Sequence, residues 1–219
     1  TTAGFSIVRY TGNGTGGATV GHGLGVAPQF IITKQRSTGG HHWRTYHVKI
    51  GATKSLYLDL TAAQSGSDAG FMNNTEPTST VFSLGTDTNL NENGQSHIAY
   101  CFSGVAGYSK FGSYIGNGNA NGTFVHTGFR PAWVLVKRTD SSENWVLKDT
   151  ARNTFNDVFS NLNPNNSNAE FGSSGDVNSF DFVSNGFKIR GSNSAVNASG
   201  GTFIYLAFAE APFKNARAR

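Results

Sequence analysis

The sequence predicts an all-β protein: a pseudo-twofold β-sandwich made of two tandem similar halves that share a core, with one or two short helices. Three observations predict it. One series of motifs occurs twice in the same order, the apolar residues fall in short runs rich in β-branched and aromatic types, and Gly, Asn, Ser or Pro clusters bound each run.

The repeat sets the organisation. Tyr10-Thr11-Gly12-Asn13-Gly14 returns about a hundred positions later as Tyr114-Ile115-Gly116-Asn117-Gly118. His22 is answered by His126, Ala27-Pro28-Gln29-Phe30 by Arg130-Pro131-Ala132-Trp133, and Trp43 by Trp145. Phe82-Ser83-Leu84-Gly85 matches Phe187-Lys188-Ile189-Arg190-Gly191, and Ile98 to Phe102 matches Ile204 to Phe208. Two copies form a duplication, not a stacked array, which needs about three repeats. The expectation is one domain over residues 1–219, with repeat one at 4–103 and repeat two at 107–214.

In chain order, strands are expected at 5–9, 29–34, 80–84 and 97–102, then at 109–114, 132–137, 180–183, 187–190 and 202–208. The Asn-Gly stretches after Tyr10 and Tyr114 read as hairpin connections, because a tight turn demands positive φ and Asn-Gly supplies it. Neither precedes a Lys-Ser/Thr pair or a helical pattern, which a phosphate-cradling loop requires. Pro28 and Pro131 precede the most apolar strands, where a missing N–H costs the sheet little. Helix is expected only at 55–63 and 149–159, the second capped by Asp149-Thr150. The closing runs of the halves, apolar at nearly every position, read as strands buried on both faces and central to a common core. The layout is of the jelly-roll or lectin-like kind.

Composition narrows the function classes. With 28 Gly and only 14% charged residues in 219, the chain is rich in turns and uncharged polar surface, while 12% aromatics argue against disorder. The net charge of +4 is scattered apart from a short cluster at 214–219, so no nucleic-acid partner is expected. No run of about 18 apolar residues occurs, so no membrane insertion is expected. The start at Thr1, without Met, reads as a processed or excised segment. Cys101 is the single cysteine and is matched by Ala207, which favours a buried packing role over a nucleophile.

The densest group of functional side chains is His41-His42-Trp43-Arg44-Thr45-Tyr46-His47. Neighbouring strand residues point to opposite faces, so His41 and His42 are poorly placed to share a metal ion. The residues read instead as a binding patch made of His41, His42, Trp43, Arg44, Tyr46 and His47. Asp87, Asn89 and Asn91 carry oxygen side chains at alternating positions, as calcium loops do, but the glycine and terminal acid of such a loop are misplaced. A plain turn is the reading there, with calcium as its alternative. No metal or cofactor is expected. Nor is an enzyme, since Asp59, Asp149, Asp157, Asp181 and Glu210 form no acid/base pattern, there is no Gly-x-Ser-x-Gly elbow, and matched His22 and His126 suit a structural hydrogen bond.

Several motifs carry a resemblance. Phe5-Ser6-Ile7-Val8 with Tyr10 to Gly14, Val20-Gly21-His22-Gly23-Leu24-Gly25-Val26-Ala27-Pro28, Ser184-Asn185-Gly186-Phe187-Lys188-Ile189-Arg190 and Phe208-Ala209-Glu210-Ala211-Pro212-Phe213-Lys214 resemble a domain of bacteriophage virion proteins, especially tail-fibre-like proteins of marine phages. The likeness spans almost the whole chain. It implies a place on the virion exterior, in a tail fibre or on the capsid surface, with other virion proteins as partners and a homo-oligomer, a trimer by preference. By analogy with fibre tips it implies a non-enzymatic receptor-binding module for host-surface glycan. The alternatives are a capsid decoration or other assembly module and, behind it, a polysaccharide depolymerase. The family supplies no catalytic residues to carry over.

Overall fold

The computed structural model describes residues 4–37 and 39–210. These residues form an all-β, sandwich-type fold in two compact units. Unit 1 holds Thr1–Asp59 and Gln64–Gly104; unit 2 holds Leu60–Ala63 and the chain from Val105 onward.

In unit 1, β1 (Phe5–Thr11), β3 (Phe30–Gln35), β4 (Arg44–His47), β5 (Leu56–Tyr57) and β7 (Ser96–Phe102) form an antiparallel sheet in the order β1-β7-β3-β4-β5. A second sheet pairs β2 (Thr19–Gly21) with β6 (Val81–Ser83). Strand β7 alternates, with His97, Ala99 and Cys101 buried and the residues between them half-exposed. That period of two turns one sheet face inward. Ile31, Tyr46, Ala99 and Cys101 from the large sheet meet Phe82 from the small one, with Phe71 and Met72 of helix α1 (Ala69–Met72) and Leu90 of helix α2 (Thr88–Asn91) closing the layer.

Unit 2 repeats the order. Strands β8 (Ser109–Ile115), β14 (Thr202–Phe208), β10 (Trp133–Arg138) and β11 (Val146–Asp149) lie as β8-β14-β10-β11, the counterpart of β1-β7-β3-β4. Strands β9 (Phe124–His126), β13 (Gly186–Ile189) and β12 (Phe180–Val183) form the second sheet, in which β9 and β13 correspond to β2 and β6. Val134, Val136, Val146, Phe203, Tyr205 and Ala207 pack against Val125, Phe180, Phe182, Phe187 and Ile189, with Val196 of helix α3 (Ser194–Asn197). Each unit therefore encloses its own hydrophobic cluster between two sheets, where the sequence suggested a core common to both halves.

Other expectations also change. Residues 55–63 and 149–159 are not helical; among the described residues the helices are α1, α2 and α3, each of one turn. Asp149 binds Arg152 instead, through its backbone N–H at 3.0 Å and its guanidinium at 2.7 Å. The Asn-Gly segments do supply positive φ, at Gly14 (68°) and Gly118 (67°). They are not hairpins, because each leads from one sheet of its unit to the other. Gly12 and Gly116 are required by close approach: a Cβ would fall 2.3 Å from the Glu92 carbonyl in one unit and 2.3 Å from the Ala198 carbonyl in the other. The histidine correspondence shifts by one residue. Buried His22 accepts the Leu24 N–H through Nδ1 (3.2 Å), and the matching Phe129 N–H is directed at the hydroxyl of Thr127 (3.4 Å). His126 is exposed. The basic cluster at 214–219 and the end of repeat two lie outside the described residues.

Candidate functional site

Strand β4 carries the densest part of the candidate patch, and it lies between β3 and β5 with all four residues buried. Arg44, 3% exposed, is an interior hub. Its guanidinium pairs with Asp68 and with Asp87 (2.8 Å), and donates to the Ser55 hydroxyl (2.7 Å) and the Tyr57 hydroxyl (2.5 Å). Its plane also lies over the rings of Tyr57 and Phe71, at 4.5 and 4.9 Å. A buried charge needs such partners, since desolvating a lone guanidinium costs far more than the fold can offset. Tyr46, 1% exposed, donates to Glu76 at 2.6 Å, and burial together with that carboxylate pushes its hydroxyl pKa up. His47 is fully buried and accepts the Lys49 N–H at 3.1 Å. Arg44, Tyr46 and His47 thus hold unit 1 together and do not belong to a surface patch.

The residues just before β4 behave differently. His42 keeps 42% of its side chain exposed and His41 19%, and Trp43 is half-buried. Asp59 organises two of them: one carboxylate oxygen accepts the Trp43 backbone N–H (3.2 Å), and the other faces His42 Nδ1 at 3.1 Å. The Asn89 side-chain oxygen fixes the loop by accepting the His42 N–H at 2.7 Å. The rings then diverge. His42 lies edge-on to Tyr57 with centroids 5.2 Å apart, while Trp43 lies over Tyr100 at 6.5 Å, with Lys34 Nζ 5.6 Å from its centroid. His41 Nε2 stands 3.6 Å from Glu92, whose carboxylate also accepts Gln35 Nε2. The result is a polar and aromatic rim where β4 begins, built on Asp59.

The three residues of the calcium alternative do not converge. Asp87 caps α2 by accepting the Asn89 N–H (2.8 Å) and spends its other oxygen on Arg44. Asn89 turns to His42, and buried Asn91 bonds the backbone of Asn13, Thr15 and Gly85. The segment is a capped helical turn, not a plain turn. Among the described residues no group of three or more His, Cys, Asp or Glu side chains is placed to hold a metal ion.

Sequence reasoning missed Asp59, Glu92, Tyr57 and Lys34, which lie up to about fifty residues away and reach His41, His42 or Trp43 only in the folded chain. It also missed two buried lysines in unit 2. Lys137 and Lys148 are both fully buried. Burial pulls the Lys137 amine down to about 8 and the Lys148 amine down to about 7. Lys148 Nζ donates to the Phe159 carbonyl (2.8 Å) beside the Phe180 ring, and Lys137 Nζ donates to the carbonyls of Thr61 (3.1 Å) and Arg138 (2.8 Å). Trp145, the counterpart of Trp43, is fully buried, so the partial exposure of Trp43 is not shared by its matching position in unit 2. Cys101 is likewise buried, and burial pushes its thiol up to about 12.

No curated protein and no solved structure matches the chain. The family model described as a domain of unknown function, DUF7483, matches residues 1–212, and with that coverage the chain belongs to this family.

Proposed function

We propose that this chain is a non-enzymatic module of a bacteriophage virion exterior, of the tail-fibre or receptor-binding kind, and that it recognises host-surface glycan at the Asp59 rim of unit 1. One observation carries the reading. Asp59 anchors the Trp43 backbone and the His42 ring, yet the two side chains stay partly exposed, so one fixed loop presents both an aromatic surface and hydrogen-bonding groups. Saccharide recognition needs that pairing, because one face of a sugar ring is apolar and its edges are hydroxyls. The phage placement rests on the motif resemblance alone.

A glycan array with the full chain tests the reading, with Trp43→Ala and His42→Ala as the diagnostic variants. Wild-type binding that both variants reduce at least tenfold, with unfolding midpoints unchanged, is the expected result; a chain that binds no host-surface sugar ends the proposal. Light scattering reports the expected trimer. A second reading, an assembly module that binds another virion protein, draws on apolar side chains exposed in unit 2: Phe155 at 82%, Val177 at 52% and Phe171 at 44%. Capture of virion protein that Phe155→Ser abolishes, without glycan binding, would establish it.

A further inference from the structure

We propose that the rim takes an uncharged, hydroxyl-rich saccharide and rejects anionic sugars, an inference that rests on the glycan-binding reading above. Ionised carboxylates only accept hydrogen bonds. Asp59 and Glu92 keep 33% and 37% of their side chains exposed. Each has donors from the protein on part of its lone-pair capacity, from Trp43 N and His42 Nδ1 in one case and from Gln35 in the other, where His41 Nε2 stands farther off at 3.6 Å. A carboxylate has about four acceptor positions, so both retain capacity on the solvent side.

In its neutral form His42 adds a third acceptor. With Nδ1 directed at the Asp59 carboxylate, that nitrogen carries the proton in the neutral ring, and Nε2 presents its lone pair. The rim is therefore acceptor-rich and carries two negative charges. A ligand that fits must bring donors, as hydroxyl or amide N–H groups do. A carboxylate, sulfate or phosphate on the sugar would set acceptor against acceptor and like charge against like charge.

The nearby cations do not reverse this. Lys34 is half-buried and its ammonium is already engaged, donating to the His41 carbonyl while lying against the Trp43 ring. Arg9 stands two strands from Lys34, beyond Ile98, on the side of β7 away from β4. Arg44 is enclosed by Asp68 and Asp87.

The test is a calorimetric titration of the full chain with two ligand sets: neutral hexose and N-acetylhexosamine oligosaccharides, and uronate, sialylated and phosphorylated ones. The expected result is binding confined to the neutral set. Asp59→Asn, which keeps the oxygen that accepts Trp43 N–H, should weaken neutral binding about tenfold, the worth of a charged hydrogen bond, and narrow the gap to the anionic set. If that variant unfolds more readily, Glu92→Gln gives the same readout from the second carboxylate. Anionic sugars binding as tightly as neutral ones would overturn the specificity while leaving glycan recognition standing. Failure of both sets to bind removes glycan recognition and the specificity with it.

Discussion

Asn91 and Asn197 are fully buried at equivalent ends of α2 and α3, and each uses one amide to tie the loop after its Tyr-x-Gly-Asn motif to the helix. The oxygen accepts the N–H of Asn13 (3.0 Å) or Asn117 (2.9 Å). The nitrogen donates to Thr15 and Gly85 carbonyls in unit 1 and to Asn119 and Gly191 carbonyls in unit 2. Tyr10 and Tyr114 complete the two clasps by donating to the carbonyls of Leu90 and Val196.

Replacing Asn197 by Ala leaves the part-buried Asn117 N–H and Asn119 carbonyl and the buried Gly191 carbonyl without this partner, and a buried group so stranded costs about 1–3 kcal/mol. Asn197→Ala should therefore lower the unfolding free energy by about 2–4 kcal/mol in urea titrations. Asn197→Asp should be no better, because its second oxygen would face carbonyls. A loss below about 0.5 kcal/mol would show that water replaces the amide.

Arg44 makes a second prediction. Removing one partner of a buried ion pair costs about 3–5 kcal/mol, and Arg44→Leu strands both Asp68 and Asp87. Its expected effect is a loss of that size, measured by denaturant unfolding. Arg44→Lys should not restore stability, since one ammonium cannot span two carboxylates, Ser55 and Tyr57 in the fork geometry that the guanidinium provides. Full stability in the Lys variant would refute this account of the hub.

Lys148 ties stability to pH. Its folded value is depressed from 10.5 to about 7, so between those values the unfolded chain binds the extra proton. Stability from this group therefore rises with pH from about 7 upward and is flat below. Lys137 adds in the same direction between about 8 and 10.5. Tyr10 and Tyr114, whose hydroxyls burial pushes up, act oppositely above about 10, which limits the useful window to roughly pH 7–10. Lys148→Met should raise stability near neutrality by several kcal/mol and flatten this slope. The Phe159 carbonyl keeps its bond from Asn161 at 2.9 Å. A variant whose slope matches wild type would show that the amine stays charged in the fold.

Cys101 should be silent in the native state. A fully buried thiol pushed up to about 12 offers almost no thiolate at about pH 8, so thiol reagents should label the chain only as it unfolds. Cys101→Ala copies the residue at the matching position, Ala207, and should cost no more than about 1 kcal/mol. Rapid labelling of folded protein would place the thiol in a more open setting than β7.

The strands most legible in the sequence were those with a clear apolar pattern, alternating in β12 and continuous in β14. Residues 180–183 and 202–208 coincide with β12 and β14, and most of the others lie within two residues of their expected ends. The five unforeseen strands, β2, β4, β5, β9 and β11, have two to four residues each, too short for a period of two to stand out. The helices escaped for the same reason: one turn has no amphipathic stripe, although Asp87 and Asn193 were readable as caps once the turn was known. At the site, the His41–His47 stretch drew attention correctly to a polar concentration but not to its burial. Arg44 and Tyr46 look like surface residues until Asp68, Asp87 and Glu76, distant in sequence, arrive to neutralise and hydrogen-bond them.

The assignment of Leu60–Ala63 to unit 2 separates the unit of sequence from the unit of folding. Thr61 gives its carbonyl to the backbone N–H of Glu143 and to the buried Lys137 amine. A gene fragment cut cleanly at the repeat boundary would therefore encode a second half lacking part of its own scaffold. Loss or exchange of a single repeat is accordingly harder for this chain than its periodic sequence suggests: the two copies have become one inheritable piece.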